Sequence, residues 1–208
     1  MRSKQWKAAA VVLSAATAAG GLALFANAAS ASDFKAVATL RSAEGDRVGR
    51  VLFDGRGDHT EVRVRLSGLD RFAVDAFHGF HIHANDVAEN GDGCLAKPGE
   101  ASNTWFVAVD GHWKTGDQAH GLHLGDMPPL LVNDDGTAEA RFTTGRFEPA
   151  QLAGRAVILH AGPDNLGHVP VGDGPNQYKP NSETAAALTA NTGNAGDRIA
   201  CGVIALRR

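Results

Sequence analysis

The sequence predicts an all-β domain, either a sandwich or a barrel. Eight short stretches have the apolar and β-branched composition of strands, and turn-forming Gly, Asp, Asn or Pro residues separate them. Long amphipathic helical patterns are scarce between these stretches. The clearest strand is residues 59–66, where Val62, Val64 and Leu66 alternate with charged residues, so one face is dry and the other wet.

The strand patterns follow one another along the chain. They cover residues 34–41, 49–54, 59–66, 77–83, 130–133, 137–143, 155–161 and 199–206. The run DDG between the fifth and sixth patterns predicts a hairpin turn. Three segments do not fit strands, and loops of this length are either functional or disordered; they are residues 85–110, 111–129 and 162–197. Within them we expect a short strand at 105–109 and a helical turn at 185–190.

The N-terminal segment has the features of a secretory signal peptide. Basic residues precede an apolar, alanine-rich run at 8–25, and small residues suitable for cleavage follow at 26–31. A membrane anchor is disfavoured because the run is shorter than about 20 strongly apolar residues. We therefore expect residues 1–28 to be removed, with cleavage between 28 and 31. A domain of residues 33–208 would then be secreted or stay in the cell envelope.

The charge of the chain excludes one class of function. The formal net charge is −3, and loss of the three cations in the signal segment leaves −6. This acidic balance, together with the lack of a basic run, excludes nucleic-acid binding.

The two cysteines predict a disulfide. Cys94 and Cys201 are an even pair in a chain that we expect to be exported, where disulfides persist. The bond would close a loop of roughly a hundred residues, which in the chain-entropy treatment stabilises the fold by about 4–5 kcal/mol.

One short run concentrates potential metal ligands. Residues 111–126, GHWKTGDQAHGLHLGD, contain His112, His120, His123 and Asp126. Imidazole nitrogen and carboxylate oxygen hold zinc, usually four of them in a tetrahedron. Neither helical nor strand periodicity explains the cluster, so chance clustering on a solvated loop is the less favoured interpretation. A metal would also order a loop that buries little apolar surface.

The fourth strand pattern carries a second set, in the run Phe80-His81-Ile82-His83. Successive strand residues point to opposite faces, so His81 and His83 share one face while Phe80 and Ile82 share the other. The two imidazoles indicate a two-histidine metal edge, with a pair of surface histidines as the alternative. His78 is out of phase with both, and we expect it to be buried and structural.

The seventh strand pattern ends in His160. Alone it would more often be a hydrogen-bonded core histidine, but beside the other sets it is a candidate ligand. Asp164, in the next turn, could accept a hydrogen bond from a ligating imidazole and fix its orientation. The alternative is an ordinary turn aspartate after Pro163. His59 and His168 lack such support and are expected to be surface or loop residues.

Taken together, these residues resemble the exported bacterial copper–zinc superoxide dismutases. The resemblance covers nearly the whole chain after the signal segment and rests on HGFHIH at 78–83, the 111–126 run, LHAGPDNLG at 159–167 and TGNAGDRIACGVI at 192–204. It implies an eight-stranded Greek-key β-barrel with long metal-binding and electrostatic loops, and an active site outside the barrel.

The resemblance also implies a role for each candidate residue. The residues that match copper ligands are His81, His83, His112 and His160. Those that match zinc ligands are His112, His120, His123 and Asp126, so the imidazolate of His112 would bridge the metals. Asp164 matches a carboxylate that links a copper histidine to a zinc histidine, here His81 and His120. Cys94 and Cys201 match the disulfide pair of the family.

The implied function is dismutation of superoxide to oxygen and hydrogen peroxide, which would protect the cell exterior. Copper would cycle between two oxidation states, and zinc would hold the bridging histidine. His112 and Arg198 match the catalytic residues, with Arg198 holding the anion; a surface cation paired with Asp197 is the alternative. A metal-storage protein of the same fold would need neither residue, so the enzyme is favoured. A homodimer and a monomer both remain open.

Two departures from the family pattern concern the loops. The spacing between His120 and His123 is shorter than in many members. The lysine and glutamates that steer superoxide in animal members are missing, and Asn191, Leu188 and Ala187 stand in their places. Steering would therefore be weaker or would come from other cations. The candidates are Lys97, Lys114 and Lys179.

Overall fold

The computed structural model describes residues 35–72, 74–91, 93–167 and 183–207. These ranges form β1 (Lys35–Ser42), β2 (Arg47–Arg56), β3 (His59–Leu66), β4 (Ala76–His78), β5 (Phe80–His83), β6 (Leu130–Val132), β7 (Ala138–Thr144), β8 (Ala156–His160), α1 (Glu183–Thr192) and β9 (Arg198–Arg207). None of the helices in the described ranges is long and apolar enough to span a bilayer. The predicted signal segment, His168 and Lys179 lie outside the described residues.

The strands form two antiparallel sheets. Seven strands pair in the order β5-β8-β9-β1-β2-β3-β7, and β4 pairs with β6. The first three strands are joined by hairpins, while β9 returns from the end of the chain to lie beside β1. The all-β prediction is confirmed. There are nine described strands and not eight, because the pattern predicted at 77–83 changes partner at Gly79 and becomes β4 and β5.

Two local predictions differ from the structure. The turn at 134–136 forms, with the Gly136 amide donating to the Asn133 carbonyl at 2.9 Å. Its two arms nevertheless belong to different sheets, since β6 pairs with β4 and β7 pairs with β3. The short strand expected at 105–109 is instead a 3₁₀ turn at Val107–Val109. The expected helical turn at 185–190 is confirmed and lengthens into α1.

The strands that carry the histidines have one face in the main core. Phe80 lies opposite Leu159, and Ile82 lies opposite Val157, in the β5–β8 pair. All four side chains are buried in the main hydrophobic cluster. The period-2 prediction for β5 is therefore confirmed, and its two histidines point to the other side of the sheet.

That other side is covered by the loop between β5 and β6. Phe106 and Val109 from the loop pack with Ile158 and Cys201 in a second, smaller cluster. The predicted disulfide between Cys94 and Cys201 is present and joins the loop to β9. Histidines on this face of β5 and β8 are therefore enclosed between the barrel wall and the loop.

Candidate metal centre

Backbone hydrogen bonds draw the 111–126 loop onto β5. The Ile82 amide donates to the Gly125 carbonyl at 2.8 Å, and the Trp113 amide donates to the Ile82 carbonyl at 2.9 Å. A Cβ atom on Gly125 would lie 2.2 Å from the Ile82 oxygen, so only glycine allows this approach. The contacts place His112 and Asp126 beside the histidines of β5.

Four histidines converge on one point. Each offers a ring nitrogen within 4.8 Å of the others, and all four are buried; they are His81, His83, His112 and His160. β5 and β8 supply three of them from neighbouring strands, and the loop supplies the fourth. The predicted copper set is thus brought together.

Hydrogen bonds fix which nitrogens face this point. His83 Nδ1 donates to the Asp110 carbonyl at 2.8 Å, and His160 Nδ1 donates to the Gly196 carbonyl at 3.1 Å. A carbonyl can only accept, so both Nε2 atoms carry lone pairs, and these atoms lie 3.4 Å apart. Two facing lone pairs repel each other unless a cation lies between them. The arrangement suits a metal ion.

The second group surrounds one carboxylate oxygen. Asp126 Oδ1 lies 3.2 Å from His112 Nδ1, 3.3 Å from His120 Nδ1 and 3.3 Å from His123 Nδ1. A tetrahedral ion with bonds of about 2.0–2.1 Å has edges of about 3.3 Å between its ligand atoms. These separations fit the predicted zinc set.

The His81 ring also lies close to the second group. The ligand atoms that lie within 4.8 Å of one another are those of His81, His112, His120 and Asp126, without His123. Hydrogen bonding nevertheless favours His123. Its Nε2 donates to the Gln118 carbonyl at 2.9 Å, which leaves an Nδ1 lone pair facing Asp126. His81 Nε2 donates to Asp164, so its remaining nitrogen serves the four-histidine group.

Asp164 lies between the two groups. Its carboxylate accepts a hydrogen bond from His81 Nε2 at 3.0 Å and lies 3.4 Å from His120 Nε2. Such a carboxylate fixes the orientation of a ligating ring and raises its basicity. Asp164 thus lies beside His81 and His120, the two rings that the resemblance links through it.

Arg198 is held by the loop that covers the histidines. Its Nη1 donates to the Phe106 carbonyl and its Nη2 donates to the Asp110 carbonyl. Both carbonyls belong to residues with left-handed backbone, with φ of 57° and 64°. Burial lowers the Arg198 pKa to about 10, so the side chain stays charged at neutral pH. Asp197 accepts a hydrogen bond from Ser102, so the alternative of a surface ion pair is not observed.

Burial keeps the four-histidine group neutral. It lowers the pKa of His81 to about 4, that of His112 to about 3 and that of His160 to about 3, and holds that of His83 well below its usual value. Burial also lowers the pKa of His120, but the hydrogen bonds that its ring donates to Asp126 and Asp164 outweigh burial and raise that pKa to about 9. Metal ligation needs neutral imidazole, and most of these rings already have that form at pH 7.

Comparison with known proteins identifies the family. A family model described as copper/zinc superoxide dismutase matches residues 47–204. The chain belongs to the copper/zinc superoxide dismutase family. The chain is 33% identical over 183 residues to superoxide dismutase (Cu-Zn) 2 of Brassica juncea, covering 83% of this chain and 98% of that protein.

A solved structure supports the fold. The crystal structure of a double mutant of a superoxide dismutase-like protein from Bacillus subtilis matches with a TM-score of 0.53 at 20% identity. It covers 80% of this chain and 94% of that one. Membership of the copper/zinc superoxide dismutase family makes the protein an oxidoreductase that acts on superoxide, with copper and zinc as its metals.

The residues present fit the two metals of a copper/zinc superoxide dismutase. His81 Nδ1, His112 Nε2 and His123 Nδ1 are buried and have no hydrogen-bond partner among the described residues. Buried polar atoms are rarely left unsatisfied, and metal coordination would satisfy all three. Imidazole suits both metals, and a carboxylate among the ligands suits zinc.

Described residues of the segment that begins at α1 contact the zinc group of this copper/zinc superoxide dismutase. The His120 amide donates to the Ala190 carbonyl of α1 at 2.6 Å. Gly193 has φ of 60°, and a Cβ atom there would lie 2.4 Å from His120 Nε2. Lys114 Nζ donates to the neutral Asn191 amide at 3.3 Å, whereas Lys97 pairs with Glu100. Of the two candidate steering lysines in the described residues, Lys114 is the one whose charge is not paired with an acidic side chain in these contacts. It is therefore the better candidate for steering superoxide.

We expect the metal-free protein to lose stability when the pH falls below 6.5. His81, His112 and His160 have lower pKa values in the folded protein than the 6.5 of an exposed histidine, so the unfolded chain binds protons first. A histidine with a folded pKa of 4 or less loses about 2 kcal/mol between pH 6.5 and 5. The raised pKa of His120 has the opposite sign, so its contribution is lost between pH 6.5 and 9.

Urea unfolding of the chelator-treated protein across pH 5–9 would check this. The free energy of unfolding should peak near neutrality and fall by at least about 2 kcal/mol at pH 5. A flat profile between pH 5 and 7 would contradict it.

The sequence analysis missed several groups that shape the site. They are the carbonyl groups of Phe106, Asp110, Gln118 and Gly196, and the side chain of Arg146. Backbone carbonyl groups carry no residue signature. Arg146 could have been noticed only as a cation directly before a core aromatic residue.

Proposed function

We propose that the protein is a superoxide dismutase in which copper changes oxidation state and His112 is shared between copper and zinc. The observation that carries this proposal is the position of the His112 ring. Its Nδ1 lies 3.2 Å from Asp126 Oδ1, and its Nε2 is buried without a hydrogen-bond partner among the described residues. The ring belongs both to the group of His81, His83 and His160 and to the group around Asp126.

We assign the candidate ligands to two metals on the basis of this geometry and of the hydrogen bonds of His81 and His123. Copper would be held by His81, His83, His112 and His160, and zinc by His112, His120, His123 and Asp126. Bound copper supplies a redox change that imidazole ligands tolerate in both states, while zinc is redox-silent and fixes the shared ring.

The protein's own side chains would supply a proton to the reaction and attract the anionic substrate. Two superoxide ions and two protons give one oxygen molecule and one hydrogen peroxide molecule. His112 Nε2 can hold one of these protons beside the reacting anion, because its Nδ1 is directed at Asp126 and its Nε2 is buried without a hydrogen-bond partner among the described residues. Solvent supplies the other proton. A buried, ring-lined site with the Arg198 charge nearby also favours entry of a small anion over larger ones.

Arg198 would orient the substrate. Two of its N–H groups are engaged by loop carbonyls, which fixes the plane of the guanidinium and leaves further donors for an anion. Burial is the main cause of the low pKa of His83 and of His160, and the Arg198 charge lowers both pKa values further. Arg198 is therefore close enough to the four-histidine group to act on it electrostatically. An oriented charge at this position is what a small anionic substrate needs.

Replacing Arg198 with alanine should lower kcat/KM for superoxide by about 10- to 100-fold, because the fixed charge that attracts and orients the anion is lost. Copper content should stay at one ion per chain, since Arg198 is not a ligand. The measurement is superoxide decay followed with metal analysis of the same sample. Arg47→Ala, at an exposed arginine of β2, is the control. A rate equal to that of the control would remove Arg198 from the mechanism.

The deciding experiment is a superoxide-decay assay on the metal-loaded protein, with a chelated sample as control. Catalytic decay that disappears on chelation supports the enzyme. A protein that binds one copper and one zinc per chain without accelerating decay would be the metal-storage alternative.

We further propose that the enzyme works outside the cytoplasm. The signal-like segment and the Cys94–Cys201 disulfide support this, because disulfides persist in oxidising compartments. Fractionation of producing cells, with N-terminal sequencing of the recovered protein, tests it. A reduced, uncleaved protein found only in the cytoplasm would overturn it.

A further inference from the structure

Arg146 lies against the outer side of the zinc loop, which we define as residues 120–126. Its Nη1 donates to the His123 carbonyl and its Nη2 donates to the Gly121 carbonyl, each at 2.8 Å. The planar guanidinium thus spans two carbonyl groups that are two residues apart. A lysine, with a single compact ammonium group, does not offer this two-pronged geometry.

The inner side of the same turn is held by a proposed zinc ligand. Asp126 Oδ2 accepts hydrogen bonds from the Gly121 amide at 2.6 Å and from the His123 amide at 3.1 Å. At residues 121 and 123, therefore, the N–H group binds the carboxylate and the C=O group binds the guanidinium. The turn is fixed from both sides, and His123 is fixed with it.

The base of Arg146 is rigid. Its amide donates to Thr144 Oγ1 at 3.1 Å at the end of β7. The next residue, Phe147, is buried against Phe53 and Trp113, and its carbonyl accepts a hydrogen bond from Thr60. The guanidinium therefore holds the zinc loop at a fixed position relative to the barrel wall.

The zinc loop needs such support because it is short. Only two residues separate His120 from His123, and the Leu122 side chain between them is 66% exposed and adds little packing. The backbone hydrogen bonds within the turn are those from Leu122 to Ala119 at 3.0 Å and from Asp126 to His123 at 3.4 Å, among the described residues. Few local contacts would resist opening.

We propose that Arg146 is a positioning residue for the zinc site. It holds the 121–123 turn so that His123 Nδ1 stays directed at Asp126 Oδ1, and it thereby slows the loss of zinc. This inference rests on the proposed zinc set of His112, His120, His123 and Asp126. Arg146 touches neither the metal nor the substrate.

The test compares zinc release from metal-loaded Arg146→Gln, Arg146→Lys and wild-type protein. A chelating dye in excess reports the release rate. Groups that orient metal ligands change metal affinity by about 10- to 100-fold when they are removed, so Arg146→Gln should release zinc at least about tenfold faster. Arg146→Lys should lie between Arg146→Gln and wild type. Arg65→Gln is the matched control, because Arg65 is an exposed arginine on β3, the strand that pairs with β7, and it forms an ion pair with Glu139.

A second measurement separates positioning from general weakening. Cobalt(II) placed in the zinc site has a visible spectrum that depends on ligand geometry, and this spectrum should change in Arg146→Gln. The thermal midpoint of the metal-free variant should stay close to that of Arg65→Gln. Zinc release and a cobalt spectrum equal to those of the control would overturn the proposal.

The outcome for wild type keeps the two claims apart. If wild-type protein takes up no zinc, the proposed ligand set fails before Arg146 is tested. If wild type holds zinc while Arg146→Gln releases it at the wild-type rate, only the inference about Arg146 fails.

Discussion

Replacing His112 with alanine is expected to reduce superoxide dismutation by about 10²- to 10⁴-fold, the range of a lost general acid or base. The ring is 4% exposed and belongs to both ligand groups, so no water or neighbouring side chain can take its place without rearrangement. Copper should stay bound through the three histidines of β5 and β8. Zinc, which loses one of its four ligands, should be released faster than from wild type.

A spectroscopic comparison isolates the sharing of the ring. Removal of zinc from wild-type protein should shift the visible absorption of copper, because in the proposed site both metals would bind one imidazole. In His112→Ala the copper spectrum should not respond to zinc. His59→Ala is the control, since that histidine is exposed and pairs with Asp58. Activity within twofold of this control at full copper occupancy would refute the bridging role.

The strands could be predicted because their signal is local. The alternation at 59–66 predicts both ends of β3 correctly. The two-residue spacing of His81 and His83 predicts that they share one face of β5. Which sheet a strand joins depends on contacts far along the chain. The turn at 134–136 predicts that β6 and β7 pair as a hairpin. In the structure β6 pairs with β4 instead, because packing against the rest of the barrel determines the partner of β6.

The candidate ligands could be singled out in the sequence because side-chain chemistry and motif spacing mark them, and the structure brings these residues together. Their supports could not be singled out in this way. Arg198 and His83 both bind the Asp110 carbonyl, and its direction depends on a left-handed backbone that aspartate seldom adopts. The Asp110 side chain helps to hold this conformation through hydrogen bonds with Val87 and Asn90. Such a local network has no sequence pattern that can be read in advance.

Replacing Asp126 with alanine is expected to weaken zinc binding by at least about 100-fold, beyond the effect of losing a group that only orients a ligand. Oδ1 is the atom on which the three Nδ1 atoms of the zinc group converge, and Oδ2 closes the turn at Gly121 and His123. One substitution therefore removes a ligand and opens the loop. Burial raises the pKa of this carboxyl, but hydrogen bonds from His112 and His120 outweigh it and keep Asp126 ionised.

Competition with a chelator of known affinity measures the loss, and Asp117→Ala, at an exposed aspartate of the 111–126 loop, is the control. Copper occupancy should remain full because His81, His83 and His160 are untouched. Asp126→Asn keeps the shape of the side chain but not its charge. The zinc affinity of Asp126→Asn should therefore lie between that of Asp126→Ala and that of Asp117→Ala. If Asp126→Ala binds zinc as tightly as Asp117→Ala, the three nitrogens converge on that oxygen for a reason other than zinc, and the division of ligands between the two metals is wrong.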